Sequence, residues 1–396
     1  MILLQINSIV GKMHICYVIW KFSSPNNFLR MGGAEKQLLK IIDNLRNNKS
    51  IKITVIARKM PENPKEETIA ENIKIKRLLT TNIPLLSMIL FSISLFFGLV
   101  KLNKKEKIDL IHLPLPDLYL ISVRLTRAIL KIPFISRIAA DELDPKSSRG
   151  MWLIERLYVR SLILKSDAIQ TLTEYATKKA SQLLFDPDKI HLIPNGVEIP
   201  KKIKDYTLLS YEIVYIGAMR FQPKKLRIEQ KNLEFLIRSF KIVSDKLPKL
   251  KLIMVGDGNY RAYLEKIVEK LNIQKKVIFT GYQTDINSFL ERGDIFVNPS
   301  HFEGMPNAVL EAMAKGVLVF CSNIPEHQYI IQNNNNGVLF NHTLEEDLAE
   351  RILDFYKKPG HYFDIADKGR SYVIKNHSIQ ELVKLLLEMY NTIINS

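Results

Sequence analysis

The sequence predicts an α/β protein built from two doubly wound domains, each around a parallel sheet. Short apolar strands alternate with helical stretches along the chain, and this alternation is typical of parallel α/β architecture. The succession starts again after residue 210, beyond a polar stretch. A length of 396 residues exceeds one ordinary hydrophobic core and favours two or three domains.

Each predicted domain contains a series of strand candidates. In the first half these are residues 15–20, 51–57, 109–113, 133–138 and 168–172. In the second half they are residues 212–217, 252–255, 277–280, 295–298 and 317–321. Residues 198–210 are polar and contain proline and lysine, which is typical of a linker. We therefore predict a domain of residues 1–205, a second of residues 206–375, and an amphipathic helix near 376–396 that packs back on the first.

The composition excludes several classes of protein. Apolar residues make up 46% and charged residues 25%, as in folded globular proteins rather than disordered chains. The two cysteines, Cys16 and Cys321, exclude a disulfide framework and fit a reducing compartment. Residues 1–200 hold 30 basic and 18 acidic side chains, a net charge of +12, against +4 for the remainder. This asymmetry favours a polyanionic partner. No basic motif interleaved with aromatic residues is present, so we do not expect nucleic acid to be that partner.

One long apolar segment raises the question of membrane binding. Residues 78–100 contain no charged side chain, and lysines and one arginine flank them on both sides. Three interpretations remain open: a spanning helix, an interfacial helix on anionic lipid, and a core helix of the α/β domain. A span would place the segments before and after it on opposite sides of the membrane, although the motifs described below need them together. Residues 1–10 lack the basic region and the cleavage site of a signal peptide.

The most informative segment, residues 298–316, runs from a strand end through a Gly/Pro loop into a short helix. The helix is expected to begin near Asn307 and to be closed by Gly316. Glu303 and Glu311 are too far apart to share a helix face, so Glu303 should lie in the loop and Glu311 in the early turns. A helix N-terminus binds anions, and carboxylates accept hydrogen bonds from hydroxyl groups. A nucleotide sugar fits this combination, and an ordinary strand-to-helix turn with solvated glutamates is the alternative.

The stretch from Phe302 to Gly316 closely resembles the donor-site signature of the family 4 retaining glycosyltransferases, which have the GT-B fold. Five weaker matches occur along the chain in the order found in that family: residues 31–35, 107–112, 193–198, 255–258 and 279–282. Together they cover residues from about 13 to 396, nearly the whole chain. The resemblance implies two Rossmann-like domains facing across a cleft.

Roles for individual residues follow from this resemblance. Glu303 matches the glutamate that contacts the donor-sugar hydroxyls, and Glu311 matches the one that binds the ribose. The loop and helix start after Glu303 would hold the sugar and diphosphate, and Tyr282 lies where the nucleobase is recognised. Two glycines of the first domain would approach the diphosphate where a side chain would collide. The implied donor-binding residues are Gly32, Gly33, Tyr282, Gly304, Met305, Pro306, Asn307, Leu310 and Glu311.

Two basic residues normally neutralise the leaving diphosphate in this family. Lys231 matches well, because the family has a lysine before Asn or Gly at a helix start. Arg220 departs from the pattern, since the family usually has the arginine directly after the glycine, where this chain has Ala218. A short insertion within residues 221–228 accompanies the departure, so Lys224, Lys225 or Arg227 are alternatives to Arg220.

The acceptor side departs from the family as well. Many members carry His-Gly after the strand that matches residues 133–138, whereas this chain has Ala139-Ala140 followed by Asp141-Glu142. The histidine role is therefore unfilled, or is taken by Arg137, Asp141 or Glu142. His14 and His112 lie within strand candidates and are expected to be structural.

We expect neither a metal nor another cofactor. Asp186-Pro-Asp188 is formally the Asp-x-Asp motif of the other major glycosyltransferase fold, but it lies in a polar turn where such residues are common. No His/Cys cluster has ligand spacing. Cationic side chains and a helix N-terminus can supply the electrostatic stabilisation that a metal would give.

The sequence thus predicts a retaining glycosyltransferase that moves a sugar from a nucleotide-diphosphate donor to an acceptor hydroxyl, on a lipid-linked or polysaccharide glycan. The expected location is the cytoplasm, peripherally on the inner face of the cell membrane, with the anionic surface as a partner. Two alternatives remain: a same-fold sugar-nucleotide epimerase or hydrolase, and a non-catalytic nucleotide-sugar-binding subunit.

Overall fold

The computed structural model describes residues 11–23, 32–138, 160–183, 186–221 and 229–396. The chain divides into two compact units: residues 1–196 together with 379–396, and residues 197–378. Each unit is an α/β structure around one sheet, so the predicted fold class is confirmed.

The first unit contains an eight-stranded sheet with the order β3-β4-β2-β1-β5-β6-β7-β8. Neighbouring strands are parallel except for β3 and β4, which are antiparallel. The strands are β1 (Met13–Val18), β2 (Ile51–Arg58), β3 (Glu66–Ala70), β4 (Ile73–Leu78), β5 (Leu110–Leu113), β6 (Phe134–Ile138), β7 (Ala168–Thr171) and β8 (Ile190–Leu192).

Helices cover both faces of this sheet. They are α1 (Gly33–Leu45), α2 (Pro84–Lys105), α3 (Leu120–Leu130), α4 (Glu174–Ser181) and, from the end of the chain, α12 (Ile379–Asn395). Alternate residues of β1 point to opposite faces: Tyr17 packs in the core under α1 and α12, and Cys16 packs in the core under α2 and α3. The C-terminal helix is therefore part of the first unit because its apolar face fills the α1 side of the sheet.

The hairpin of β3 and β4 was missed by sequence analysis, because β4 alternates isoleucine with basic residues. The structure places Ile73 and Ile75 in the core. Arg77, which we counted among the basic flanks of the apolar segment, is fully buried and bonds Glu67 at 2.9 Å. Arg77 is thus a structural residue and cannot contact a membrane surface.

The second unit contains a six-stranded, wholly parallel sheet with the order β11-β10-β9-β12-β13-β14. Its strands are β9 (Glu212–Ile216), β10 (Lys251–Val255), β11 (Val277–Gly281), β12 (Ile295–Asn298), β13 (Leu318–Ser322) and β14 (Val338–Phe340). Its helices are α5 (Leu233–Lys246), α6 (Arg261–Lys270), α7 (Asn287–Arg292), α8 (Asn307–Ala314), α9 (Pro325–Gln328), α10 (Glu345–Lys357) and α11 (Pro359–His377).

The boundary between the units falls after Gly196 rather than at residue 205. The stretch that looked like a linker is packed into the second unit. Lys204 Nζ lies 3.2 Å from Asp294 Oδ1, with both side chains almost wholly buried. Tyr206 Oη accepts a hydrogen bond from Leu318 N at 2.7 Å. This polar stretch is therefore ordered because its donors form hydrogen bonds with a buried carboxylate.

One helix within the described residues, Leu86–Lys105, is long and apolar enough to cross a membrane by length and composition. Part of this segment is buried in the first unit, where Phe91, Leu95 and Leu99 are fully enclosed. The segment is therefore a core helix along one face.

Candidate donor site

The strand order of the second sheet contains a switch point. Strand β9 is central, its successor β10 lies on one side, and β12 lies on the other. The segments that follow β9 and β12 leave the same edge of the sheet and diverge, and ligands of doubly wound folds bind at such a switch point. Lys231 comes after β9, and Glu303 comes directly after β12.

Lys231 and Glu303 form a short ion pair at this edge. Lys231 Nζ donates to Glu303 Oε1 at 2.6 Å, and the two side chains are 22% and 8% exposed. Ser300 Oγ donates to the same oxygen at 2.8 Å, and Asn298 Nδ2 lies 3.3 Å from it. Burial raises the pKa of Glu303, but the charge and hydrogen bond of Lys231 outweigh it and hold that pKa below 4.5. Glu303 is therefore an ionised acceptor at neutral pH.

A buried histidine lies behind the carboxylate. His327 Nδ1 is 2.8 Å from Ser322 O, and the ring is fully enclosed. Burial lowers the pKa of His327 to about 4, although the nearby charge of Glu303 opposes the shift. The ring is thus neutral at pH 7, which leaves Lys231 as the cation paired with Glu303.

Backbone and amide hydrogen bonds hold the segment of Lys231 against the segment of Glu303. Gln230 O accepts from His301 N at 2.9 Å, and Gln230 Nε2 donates to Phe302 O at 3.2 Å. Asn232 has a φ of +51° at the start of α5, a left-handed conformation that Asn and Gly adopt more readily than other residues. This gives a physical reason for the Lys-Asn pair, because the turn at Asn232 is what orients Lys231.

The helix after the Glu303 loop begins at Asn307, as predicted, and Gly316 follows it with a φ of +78°. Glu303 lies in the loop, and Glu311 is half-buried in the second turn of α8. The side chain of Leu310 is fully buried in the core, so that residue can contact a ligand only through its backbone. The remaining loop candidates, Gly304, Met305 and Pro306, precede the helix N-terminus.

Three glycines lie in contact at the ends of neighbouring strands. Gly256 N donates to Gly281 O at 2.9 Å, and a Cβ on Gly256 would collide with the carbonyl oxygen of Gly217. The φ of Gly256 is +137°, so glycine is required there for conformation as well as for space. Tyr282 directly follows this junction and is half-buried, and burial raises its pKa.

Arg220 lies beside Gly258 and is exposed. Within the described ranges no hydrogen bond or ion pair joins it to Lys231 or Glu303. Lys224, Lys225 and Arg227 lie outside the described residues, so the second cation of the site stays a prediction.

Candidate residues of the first unit lie at the corresponding edge of its sheet. Gly32 and Gly33 start α1, and Gly32 N donates to the carboxylate of Glu35. Arg137 at the end of β6 donates to Asn195 Oδ1 at 2.7 Å. The acceptor-side candidates Asp141 and Glu142 lie outside the described residues.

The histidines of the first unit are strand residues. His14 Nε2 lies 2.9 Å from Thr54 Oγ1, and His112 Nδ1 lies 2.5 Å from Tyr390 Oη. Burial, together with the charge of Arg137, lowers the pKa of His112 to about 3. Both rings are buried, and each has a hydrogen-bond partner within the first unit.

Sequence analysis missed residues that support the site. Ser300 and Asn298 lie inside the donor-site segment but carried no assignment, and His327 had no sequence signal. Glu229 also went unnoticed: its Oε2 accepts from Leu233 N at 2.7 Å. Burial raises the pKa of Glu229 to about 7. These residues act through three-dimensional neighbours, and no spacing rule reveals them.

The described part of the chain holds no group of three or more His, Cys, Asp or Glu side chains placed to bind a metal ion. In the Asp-x-Asp sequence, Asp186 Oδ1 accepts from Asp188 N at 3.2 Å, so it caps its own turn.

Two protein-family models match the chain. One described as "Glycosyltransferase Family 4" matches residues 31–200, and one described as "Glycosyl transferases group 1" matches residues 224–372. Among solved structures, Anabaena Alr3699/HepE in complex with UDP and glucose superposes with a TM-score of 0.73 at 15% identity, covering 95% of this chain and 99% of that chain.

Curated relatives agree at the level of class. An uncharacterized glycosyltransferase of Methanocaldococcus jannaschii is 37% identical over 130 residues, which is 32% of this chain and 32% of that protein. The UDP-Gal:alpha-D-GlcNAc-diphosphoundecaprenol alpha-1,3-galactosyltransferase of Escherichia coli is 27% identical over 258 residues, 61% of this chain and 65% of that protein. The matches span less than two thirds of the length of these relatives.

The fold is that of the GT-B glycosyltransferases. The chain belongs to the group 1, family 4-like branch of that class, which confirms the resemblance found in its sequence.

Proposed function

We propose that this glycosyltransferase transfers a sugar, with retention at the anomeric carbon, from a nucleotide-diphosphate donor to a hydroxyl of a lipid-linked or polysaccharide acceptor. The observation that carries the proposal is the Lys231–Glu303 pair at the switch point of the second sheet. A cation for the diphosphate lies directly beside an ionised carboxylate that can accept hydrogen bonds from sugar hydroxyls.

In the proposed reaction, the bond from the anomeric carbon to the phosphate oxygen breaks while the acceptor oxygen attacks from the same face. The acceptor proton goes to the leaving phosphate oxygen. Lys231 and the N-terminus of α8 stabilise the charge that gathers on the diphosphate, so no metal is required. Glu303 orients the sugar and is not the nucleophile. Arg220 is the candidate for a second cation.

The acceptor proposal draws on relatives and on charge. The Escherichia coli relative is named for a diphosphoundecaprenol acceptor, and the first 200 residues of this chain carry a net charge of +12. An anionic lipid-linked substrate at the inner face of the cell membrane fits both observations. We therefore propose a cytoplasmic protein that binds this surface peripherally.

The test is a panel of nucleotide sugars read by thermal shift, followed by turnover assays with and without a lipid-linked acceptor. A true donor stabilises the folded protein by mass action. Turnover that depends on the acceptor supports a transferase. Turnover without acceptor supports a same-fold hydrolase or epimerase, and binding without turnover supports a binding subunit.

A further inference from the structure

Helix α2 has two apolar faces. One face is in the core, where Phe91, Leu95 and Leu99 are fully buried and Leu102 is 3% exposed. The opposite face is equally apolar but open to solvent: Ile89 is 48% exposed, Ile93 is 52% exposed and Phe97 is 64% exposed. A helix that serves only as core has a polar outer face, so the outer face of α2 needs a separate explanation.

Helix α3 continues this surface. Ser122 Oγ of α3 donates to Ser92 O of α2 at 2.7 Å, which fixes the two helices side by side. Ile121, Leu125 and Ile129 of α3 are 39%, 51% and 62% exposed at a spacing of one helical turn. An apolar groove of about 450 Å³ runs between the helices. We call this surface the α2–α3 face, formed by Ile89, Ile93, Phe97, Ile121, Leu125 and Ile129.

Positive charge is concentrated at one end of the face. Lys101, Lys104 and Lys105 are exposed in the last turns of α2, and Lys131 is exposed just after α3. Both helices are crossovers between parallel strands, so they run in the same direction and their lysine-bearing ends lie at the same edge of the sheet. Neither helix contains an acidic residue.

We propose that the α2–α3 face docks into the headgroup–hydrocarbon boundary of an anionic bilayer, with these lysines on the lipid headgroups. The inference rests on the proposed function, since it names the surface by which the enzyme would reach a lipid-linked acceptor. Large exposed apolar side chains beside an edge with four exposed lysines match the interior and the anionic surface of such a membrane.

Geometry and charge favour a bilayer surface over two alternatives, a membrane-spanning α2 and a second copy of the chain. A spanning α2 would have to withdraw Phe91, Leu95 and Leu99 from the core of the first unit, so the helix lies flat instead. A second copy docked in parallel through the same face would bring the two lysine edges together, where their charges would repel, and an antiparallel copy would leave the lysines without an anionic partner.

The first test compares partitioning onto phosphatidylcholine vesicles that contain phosphatidylglycerol. Ile93→Ser with Phe97→Ser should lower the partition coefficient by at least about tenfold, because two large apolar side chains leave the bilayer. The matched control carries Leu208→Ser with Leu344→Ser, which changes two exposed leucines of the second unit, 82% and 49% exposed. That variant should bind vesicles like the wild type. Equal binding by all three proteins overturns the proposal.

Salt and lysine variants test the charged edge. Gln at positions 101, 104 and 105 should weaken vesicle binding at low salt, and high salt should weaken the wild type similarly. Thermal shift with the nucleotide sugar is measured in parallel and should be unchanged in every variant. Absence of donor binding by the wild type would count against the proposed function, whereas unchanged vesicle binding by the variants counts only against the docking face.

A labelled cysteine shows directly what binds to the α2–α3 face. The two native cysteines are fully buried, so a thiol introduced by Phe97→Cys can be labelled selectively with an environment-sensitive dye. A blue shift on anionic vesicles, absent for Leu344→Cys, supports docking. A shift that grows with protein concentration in the absence of vesicles would instead show self-association and overturn the proposal. A shift produced equally by a detergent-free, short-chain lipid-linked acceptor would show that the groove holds the acceptor tail, and would also overturn it.

Discussion

Lys231 Nζ lies 2.6 Å from Glu303 Oε1, although 72 residues separate them in the chain. The pair links the segment after the central strand β9 to the loop after its neighbour β12. Each residue holds the other in place, which keeps the proposed diphosphate cation and sugar-binding carboxylate adjacent before a donor binds.

Removing the cation should therefore slow the reaction strongly. Lys231→Ala is expected to lower turnover by about two orders of magnitude, the scale of losing one preorganised charge-stabilising donor. Glu303→Gln should reduce sugar transfer more than nucleotide binding, because the proposed role of Glu303 is to bind the sugar. Steady-state kinetics with binding of the free nucleotide measure both. Lys241→Ala is the matched control, since Lys241 forms an exposed i,i+4 ion pair with Asp245. Wild-type rates in both site variants would remove the donor-site assignment.

Glu229 should make stability depend on pH near neutrality. Burial raises its pKa to about 7 in the folded protein, from an ordinary value of 4.5. The folded state then binds the proton more tightly than the unfolded state, so this stabilising contribution is complete below about pH 4.5 and is lost as pH rises through 7. Glu229→Gln should remove that loss. Thermal melts from pH 4.5 to 8 should show the variant gaining on the wild type as pH rises. Parallel curves would contradict the raised pKa.

Asp294 should be far more important for stability than an exposed aspartate. Its carboxylate is fully buried, pairs with Lys204, and accepts from Tyr211 N at 2.7 Å. Asp294→Asn leaves Lys204 buried without its counter-charge and should cost about 3–5 kcal/mol. The exposed pair of Lys368 with Asp364 gives the control, because Asp364→Asn should cost less than about 1 kcal/mol. Urea denaturation measures both, and equal costs would contradict the role of burial.

The C-terminal helix should be held to the first unit by a buried hydroxyl. Tyr390 Oη of α12 lies 2.9 Å from Tyr17 Oη of β1 and close to the His112 ring. Tyr390→Phe removes this partner from two buried polar groups and should destabilise the first unit by about 1–3 kcal/mol. Tyr175→Phe, at an exposed tyrosine, should change stability little. A chemical-denaturation series that leaves both variants at wild-type stability would mean that apolar packing alone retains α12.

The fold was largely predictable because each strand and helix of a parallel α/β fold produces a local pattern in the sequence. Alternating apolar runs and helical stretches indicated both sheets, and the start of α8 at Asn307 followed from its turn chemistry. The hairpin of β3 and β4 escaped prediction, since Lys74 and Lys76 interrupt its apolar run and resemble solvated flanks. The predicted boundary at residue 205 was placed too late in the chain. Hydrogen bonds to the buried carboxylate of Asp294 order the polar stretch, and the sequence does not show that this acceptor lies beside it.

The sequence by itself determined the class of this protein, because the motifs that indicate it are local. They are the loop with Glu303 and Glu311 and the Lys-Asn turn at residue 231, and both can be recognised from the sequence alone. The tertiary structure alone decided which charges meet and which faces remain open. It brought Lys231 to Glu303 through strand order, buried Arg77 that had looked like a surface cation, and left Phe97 exposed while enclosing Leu99. Periodicity can show that a helix is apolar all round, but only packing determines which of its faces the sheet covers.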